Sequence, residues 1–329
     1  MKITVVLCTY NRCHSLPKAL DSVAASQLPD TVEWEVVVVD NNSTDQTREV
    51  VESFCRRYTG RFHYLYERQQ GLSFARNAGV RGARGEIIAF TDDDLTVDPK
   101  WLFNLTGALD NGEWAGAGGR ILPAEVFSLP RWLALDGPYG LAGPLYAGFD
   151  MGDRAHELKR PPHGACMAFR KSMFAKYGDF RTDLGASPGS ALGNEDTEFG
   201  HRLMVGGERL RYEPLAVVYH EISKKRVSKG FFLNWWFDFG RAQVREAGKR
   251  PAIWGIPRHY ITIPNVILTH LPKRTLQWLV ALSPQKRFYR KCMVWVVAGW
   301  LAETRRLAKS WKSHAIPSTT RNNKQEASS

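Results

Sequence analysis

The chain contains 329 residues, of which 43% are hydrophobic, and this is enough for one large domain or two smaller ones. Its net charge of +12 is unevenly distributed: residues 1–223 hold 24 Lys and Arg against 29 Asp and Glu, whereas residues 224–329 hold 21 against 4. The five scattered cysteines include no Cys-x-x-Cys pair, so neither a disulfide framework nor a zinc site is indicated.

The shift in charge predicts how the chain is organised. We expect a ligand-binding domain at residues 1–223, a basic helical region at 224–314 and a disordered tail at 315–329. A strand pattern starts at residue 2, so we expect no cleavable signal peptide. Together with the unpaired cysteines, this favours a reducing, cytoplasmic setting.

The first half of the chain alternates predicted strands and helices, joined by short loops. Strands are predicted at residues 3–8, 35–39, 62–66 and from residue 87 onwards. Helices are predicted at residues 15–26, 46–58 and 71–81. This alternation predicts an α/β fold with a mostly parallel sheet flanked by helices.

Polar residues follow three of these strands. Thr9-Tyr-Asn-Arg12 comes after the first strand, Asp40-Asn-Asn-Ser-Thr-Asp45 after the second, and Asp92-Asp-Asp94 after the strand that begins at residue 87. Ligands of open α/β sheets bind beyond the carboxyl ends of the strands, so we expect these loops to form one site. Helix capping would explain Asp40 alone, but not polar residues in all three loops.

The three adjacent carboxylates Asp92, Asp93 and Asp94 repel each other and cannot be buried without a partner. Oxygen ligands at a sheet edge suit Mg²⁺ or Mn²⁺, which usually also hold phosphate oxygens. A solvated acidic turn that starts a helix is the alternative interpretation. No glycine follows the first strand and no Gly-Lys-Ser/Thr loop occurs, which disfavours dinucleotide-binding and P-loop domains.

The middle of the chain carries further candidates. Strands are predicted at residues 114–121, 163–169 and 216–220, with a helix at 171–177 and a long loop or lid at 122–162. Glu195 and Asp196 open another predicted helix, where acidic residues also serve as plain caps. His220 ends a predicted strand, a position at which a structural role is the commoner one.

Taken together, Thr9-Tyr-Asn-Arg12, Asp40-Asn-Asn-Ser-Thr-Asp45, Gly71-Leu-Ser-Phe-Ala-Arg-Asn-Ala-Gly79 and Asp92-Asp-Asp94 resemble family 2 glycosyltransferases over roughly residues 1–223. These are inverting enzymes with the GT-A fold that use nucleoside-diphosphate sugars. The resemblance implies the following nucleotide-binding residues: Thr9, Tyr10, Asn11, Asp40, Arg76, Asp92 and Asp93. It implies a divalent metal, Mn²⁺ or Mg²⁺, bound by Asp94 with Asp92 and His220.

By the same resemblance, Asp196 is the general base, with Glu195 as the second choice. The implied reaction transfers a sugar, with a UDP-sugar favoured as donor, to a hydroxyl of a glycan or lipid-linked acceptor in cell-surface or extracellular polysaccharide synthesis. The alternative is a catalytically silent nucleotide-binding module of a polysaccharide-synthesis complex. A nucleotidyltransferase is disfavoured because a glycine-rich loop near the N-terminus is absent.

The basic region holds seven of the eleven Trp and several uncharged segments. These segments are residues 259–272, 275–285 and 292–302, all shorter than the roughly 18–20 residues that span a bilayer. Basic residues flank them, which is typical of helices that lie in a membrane interface, so we expect a peripheral protein on the inner face of the cell membrane. An ordinary helical subdomain is the alternative, and nucleic-acid binding is disfavoured because no recognition motif occurs.

Overall fold

The computed structural model describes residues 2–110, 112–125, 128–190, 192–247 and 266–314. Their strands are β1 (Lys2–Thr9), β2 (Glu33–Asp40), β3 (Phe62–Tyr66), β4 (Ile87–Asp92), β5 (Leu95–Val97), β6 (Gly116–Pro123), β7 (His156–Glu157), β8 (Met167–Arg170) and β9 (Leu210–His220).

The helices of the first two-thirds of the chain are α1 (Leu16–Ala24), α2 (Thr47–Arg57), α3 (Leu72–Gly82), α4 (Trp101–Gly107), α5 (Ala142–Tyr146), α6 (Lys171–Tyr177) and α7 (Glu195–Val205). Those of the last third are α8 (Lys229–Ala247), α9 (Leu271–Leu279) and α10 (Pro284–His314), with a π-helical turn at Val266–His270 before α9. Short 3₁₀ turns occur at Gly137–Tyr139 and Lys224–Arg226.

The described strands form one sheet in the order β3-β2-β1-β4-β8-β6-β9-β5, with β7 paired to β9. The predicted parallel sheet is present in β3, β2, β1 and β4, whose neighbouring pairs are all parallel. The other half is mixed, because β8 is antiparallel to β4 and β6 while β9 is parallel to β6. The acidic turn after β4 leads into β5, which pairs with β9, and therefore does not start a helix.

Burial explains why the first strands form the centre of the sheet. The four consecutive valines at 36–39 in β2 are buried, as are Val5, Val6 and Leu7 in β1, which is expected of strands covered on both faces. Helix α3 packs closely on β1, because a Cβ added to Gly79 would lie 2.4 Å from a methyl group of Val6. This close packing sets the position of α3, on which Arg76 lies.

The segment predicted as a long loop, residues 122–162, contains α5 and β7. The uncharged segment at residues 292–302 lies within α10, and segment 275–285 spans the end of α9 and the start of α10. Residues 259–265 of the uncharged segment 259–272, and the tail predicted at 315–329, lie outside the described residues. None of the helices in the described ranges is both long enough and apolar enough to cross a membrane.

The C-terminal helices pack against the rest of the protein. Phe232 of α8 and Phe288 and Cys292 of α10 belong to the same buried cluster as the sheet. Although burial favours its neutral form, hydrogen bonds from three arginines lower the pKa of Glu303 in α10 to about 2. Two of these arginines, Arg241 and Arg245, lie on α8, so Glu303 joins the two helices.

Candidate active site

The three polar loops predicted to converge do meet at one edge of the sheet. In register, Thr9 at the end of β1 lies beside Asp40 of β2, and Cys8 lies beside Asp92 of β4. The hydroxyl of Thr9 donates a hydrogen bond of 2.7 Å to Oδ2 of Asp93. Burial and the neighbouring carboxylate of Asp94 raise the pKa of Asp93 to about 7. Asp93 therefore ties the acidic turn to the end of β1.

The predicted nucleotide pocket is formed by the ends of β1 and β2. Oδ1 of Asp40 accepts a hydrogen bond of 2.9 Å from the backbone N–H of Ser43, and Oδ2 accepts one of 2.9 Å from the hydroxyl of Tyr64. Asn11, in the left-handed region with φ 51°, accepts one of 2.8 Å from the N–H of Thr44. The two loops are thus joined to each other, with Asp40 buried between them and the adjacent Tyr10 partly exposed.

Arg76 joins the two acidic segments of the sequence. Its side chain is only 4% exposed, and its guanidinium donates a hydrogen bond to Glu195 and lies 3.5 Å from Oδ1 of Asp92. Burial raises the pKa of Glu195 to about 7, with Asp196 adding to the shift and Arg76 opposing it. Burial also raises the pKa of Asp92. Arg76 therefore supplies the positive charge that three crowded carboxylates need.

Asp196 lies in the first turn of α7 and is held by the backbone. The N–H of Gly164 donates a hydrogen bond of 2.6 Å to Oδ2, and the N–H of Thr197 donates one of 2.6 Å to Oδ1. Gly164 also touches Arg76, because a Cβ added to it would lie 2.2 Å from that guanidinium. A side chain at position 164 would displace the guanidinium of Arg76, so glycine allows the arginine and the carboxylate of Asp196 to lie this close together.

Asp94 lies among two guanidinium groups and one imidazole. Arg226 approaches Oδ2 of Asp94 at 3.1 Å and Arg12 approaches the same oxygen at 3.6 Å. Nε2 of His220 lies 3.3 Å from Oδ1. Nδ1 of His220 lies 2.9 Å from the carbonyl oxygen of Glu221, and when this nitrogen carries the proton, Nε2 presents a lone pair.

The donor atoms around Asp94 fit a divalent metal. A carboxylate oxygen and an imidazole nitrogen face each other, and both suit Mn²⁺. Asp92 instead faces Arg76, and in the described part of the chain no group of three His, Cys, Asp or Glu is arranged to hold a metal. Two protein ligands leave positions for water or phosphate oxygens, as is usual for Mg²⁺. The assignment of Asp92 as a third ligand stays a prediction.

Comparison with known proteins identifies the family of the chain. The protein-family model "Glycosyl transferase family 2" matches residues 4–178. The succinoglycan biosynthesis protein ExoM of Rhizobium meliloti (strain 1021) is 26% identical over 250 residues, which cover 74% of this chain and 75% of that protein. A glucosyl-dolichyl phosphate glucuronosyltransferase of Haloferax volcanii is 28% identical over 247 residues, covering 73% and 76% of the two chains.

Two solved structures have a similar fold. The mannosyltransferase PcManGT from Pyrobaculum calidifontis, in complex with GDP-Man and Mn²⁺, gives a TM-score of 0.60 at 18% identity, covering 92% of this chain and 86% of that one. TarS of S. aureus, residues 1–349 in complex with UDP-GlcNAc, gives 0.52 at 17% identity, covering 95% and 92%. The chain belongs to glycosyltransferase family 2, and it is a glycosyltransferase with the GT-A fold.

Sequence reasoning missed several side chains of the site. The sequence marks Arg226 only as part of the basic region, whereas in the structure it contacts Asp94. The sequence predicts no role for Arg12, which lies near Asp94, or for Tyr64, whose hydroxyl donates to Asp40. No local signal marks Arg226, because its partner is distant in sequence and the 3₁₀ turn that carries it consists of three basic residues.

Proposed function

We propose that this glycosyltransferase is a metal-dependent, inverting enzyme. In this proposal it transfers a sugar from a nucleoside diphosphate, with UDP favoured, to a hydroxyl of a glycan or lipid-linked acceptor. The observation that carries the proposal is the bridge formed by Arg76, which contacts Asp92 on the donor side and Glu195 beside the proposed base. In this proposal, donor binding and proton removal take place on the two sides of Arg76.

On the donor side, Thr9 and Asp40 lie at adjacent strand ends and are proposed to contact the nucleobase, together with Tyr10 and Asn11. Asp92 and Asp93 are proposed to lie near the ribose. Asp94, with His220, would hold the divalent metal, which when bound neutralises negative charge on the leaving diphosphate. Arg12 and Arg226, already at Asp94, supply positive charge at the same place.

Asp196 is proposed as the general base. Its carboxylate accepts two backbone hydrogen bonds, which orient it while its remaining lone pairs stay able to take the proton of the acceptor hydroxyl. Glu195, the second choice, is buried and bound to Arg76, and this arrangement favours Asp196. Attack by the acceptor oxygen opposite the leaving group inverts the anomeric carbon in one displacement, so the protein needs no nucleophile of its own.

The class of acceptor is supported by the relatives. One relative is named for succinoglycan biosynthesis and another for a glucosyl-dolichyl phosphate substrate, which points to a glycan or a lipid-linked glycan. The choice of UDP is supported by the complex of TarS with UDP-GlcNAc, whereas PcManGT was solved with GDP-Man. The donor panel of the experiment below therefore includes both bases.

We further propose that α9 contacts the membrane. Apolar side chains are exposed on α9 and in the turn that follows it: Leu276, Leu279, Val280 and Leu282. The cations Lys273 and Arg287, both exposed, lie on either side of this group in the sequence. Exposed apolar residues with basic neighbours favour binding to anionic lipid headgroups, where a lipid-linked acceptor would be found.

The experiment that tests this function measures release of nucleoside diphosphate by the full-length protein. UDP-, GDP- and dTDP-sugars are supplied with Mn²⁺, Mg²⁺ or a chelator, in the presence of a membrane lipid extract. We expect turnover of one donor, lost with the chelator. Metal-dependent nucleotide binding without turnover of any donor would favour the silent module, and turnover that survives the chelator would contradict the metal assignment.

A further inference from the structure

Helix α8 crosses the protein between the two ends of the proposed catalytic cleft. Arg226, which lies three residues before the start of α8, contacts Asp94. Near its last residues, Glu246 lies 3.2 Å from Nδ1 of His201 on α7, the helix that Asp196 and its neighbour open. One end of α8 is therefore at the proposed metal ligands and the other is at the helix of the proposed base.

One face of α8 packs against the segment that leads to α7. Ala242 is fully buried against Leu184 and Leu192, which lie in the segment leading to α7. The opposite face of α8 packs on α10, because a Cβ added to Gly240 would meet the backbone of Val296. At 100° per residue, Ala242 and Gly240 point to opposite sides of the helix.

The aromatic residues Trp235 and Phe239 share the face of Ala242, since positions 235, 239 and 242 follow the i, i+4, i+7 spacing. Their rings are stacked, with centroids 5.4 Å apart and planes at 10°. Trp236 stands across both rings at about right angles and supports them. Both stacked rings stay partly exposed, although they share the face on which Ala242 is buried against the segment that leads to α7.

We infer that Trp235 and Phe239 form the acceptor subsite, in which the apolar C–H face of a pyranose ring stacks on the aromatic rings. This inference rests on the proposed function, since it assigns the acceptor to the cleft between Asp94 and Asp196. The outward face of an aromatic ring suits a sugar because it contacts the C–H groups of one face and leaves the hydroxyls at the edge of the pyranose free for hydrogen bonds. Aliphatic side chains at the same positions would lack such a surface.

Direct binding tests the subsite without any need for turnover. The full-length protein is labelled with 5-fluorotryptophan, and the resonance of Trp235 is assigned with Trp235→Phe. Methyl pyranosides of glucose, galactose, mannose and N-acetylglucosamine, and cellobiose, are then titrated. We expect at least one of these sugars to shift the Trp235 resonance. Absence of a shift with all of them would overturn the subsite.

Variants provide a second readout. Trp235→Ala is expected to weaken binding of the responding sugar about tenfold, which corresponds to about 1.4 kcal/mol. Trp235→Phe, which keeps an aromatic ring, should lose less affinity for this sugar. The matched control is Trp34→Ala, since Trp34 is also partly exposed, contacts Arg61, and lies near the start of β2, away from the carboxyl ends of the strands. Equal losses in Trp235→Ala and Trp34→Ala would overturn the assignment.

Two further measurements separate this inference from its alternatives. Phosphatidylglycerol vesicles that shift the Trp235 resonance, when no sugar does, would assign the rings to membrane contact and overturn the subsite. UDP binding is measured on the same sample by calorimetry and reports the donor site alone. Sugar binding at Trp235 without any nucleotide binding would refute the proposed function and leave Trp235 as a sugar-binding site. Nucleotide binding without any sugar binding at Trp235 would refute only the subsite.

Discussion

The guanidinium of Arg226 lies 3.1 Å from the carboxylate of Asp94 and 3.4 Å from Nε2 of His220, so one cation bridges the two proposed metal ligands. The two ligand atoms themselves are 3.3 Å apart and repel each other when Nε2 carries a lone pair. Arg226 reduces this repulsion in the protein without metal. The same contact makes Arg226 a competitor of the metal for Asp94.

Substitution Arg226→Ala is therefore expected to tighten the binding of Mn²⁺ alone, without nucleotide. Asp94 and Arg226 are partly exposed, so their ion pair is worth about 1 kcal/mol or less, and the expected gain in affinity is up to about fivefold. Isothermal titration with MnCl₂ measures it. The Mn²⁺ affinity of Arg226→Lys, which keeps the charge, should fall between those of the wild type and Arg226→Ala. Weaker Mn²⁺ binding in Arg226→Ala would show that Arg226 supports the site and does not compete.

Substitution Gly164→Ala is expected to reduce turnover by displacing two groups at once. The added Cβ would lie 2.2 Å from the guanidinium of Arg76, and the same residue donates its N–H to Asp196. Overpacking of this kind costs about 1–3 kcal/mol of unfolding free energy. Steady-state turnover and thermal unfolding measure both effects. Gly143→Ala is the matched control, because no atom lies within 4 Å of its added Cβ, and wild-type turnover in Gly164→Ala would disprove the contact.

Substitution Asp196→Asn is expected to lower the rate of transfer by about 10²–10⁴-fold, because an amide cannot take the proton of the acceptor. Nucleotide affinity should stay unchanged, since Asp196 is assigned no donor contact. Release of nucleoside diphosphate and calorimetric binding of the nucleotide are measured on the same sample. Glu198→Gln, on the same helix, where Glu198 pairs with Arg202, is the control. Equal loss of binding and transfer would refute the role of Asp196.

Much of the donor half could be predicted from the sequence because its signals are local. The valine run of β2 and the acidic end of β4 are continuous in the chain, and strand β3 and helix α6 were predicted with the bounds that the structure has. The prediction that polar loops meet at one edge followed from the parallel order of strands alone. Glu195 also begins α7 as expected.

The rest of the site could not be predicted because it depends on contacts between distant parts of the chain. The pairing of β5 with β9 brings His220 to Asp94, and no periodic pattern announces a three-residue strand after an acidic turn. Arg226 reaches Asp94 only because the chain after β9 turns back over the cleft. The stacking of Trp235 on Phe239 likewise depends on which face of α8 is covered.

The stability of the metal-free protein is expected to fall as the pH rises from about 4.5 to about 7. Burial raises the pKa of Glu195 to about 7 from its ordinary 4.5, so the folded protein holds a proton that the unfolded chain releases. The stabilising contribution of the neutral form is fully present below pH 4.5 and is lost as the pH rises through 7.

Substitution Glu195→Gln mimics the neutral form and should make this dependence less steep, while the raised pKa of Asp93 keeps a dependence of the same sign. The slope is limited to about 1.4 kcal/mol of unfolding free energy per pH unit for one proton. Thermal unfolding from pH 4.5 to 8, with a chelator present, measures it. The control is Glu125→Gln, at an exposed position. An unchanged slope in Glu195→Gln would show that Glu195 is already ionised in the folded protein at pH 5.

Membrane contact through α9 is tested by placing a charge on its apolar face. Leu279 is 58% exposed and Leu282 is 97% exposed, so Leu279→Asp and Leu282→Asp should leave the fold intact. Burial of one leucine contributes about 1.5–3 kcal/mol, and each substitution should therefore lower binding to phosphatidylglycerol vesicles by about tenfold or more. Vesicle sedimentation measures the bound fraction.

Salt and a matched control complete this test. Binding should weaken as NaCl is raised, because screening reduces the attraction of Lys273 and Arg287 to anionic headgroups. The control is Leu215→Asp, since Leu215 is 66% exposed on β9, outside the basic region. If Leu215→Asp lowers vesicle binding as much as Leu282→Asp does, the loss reflects the added negative charge alone, and α9 is not the surface that meets the lipid.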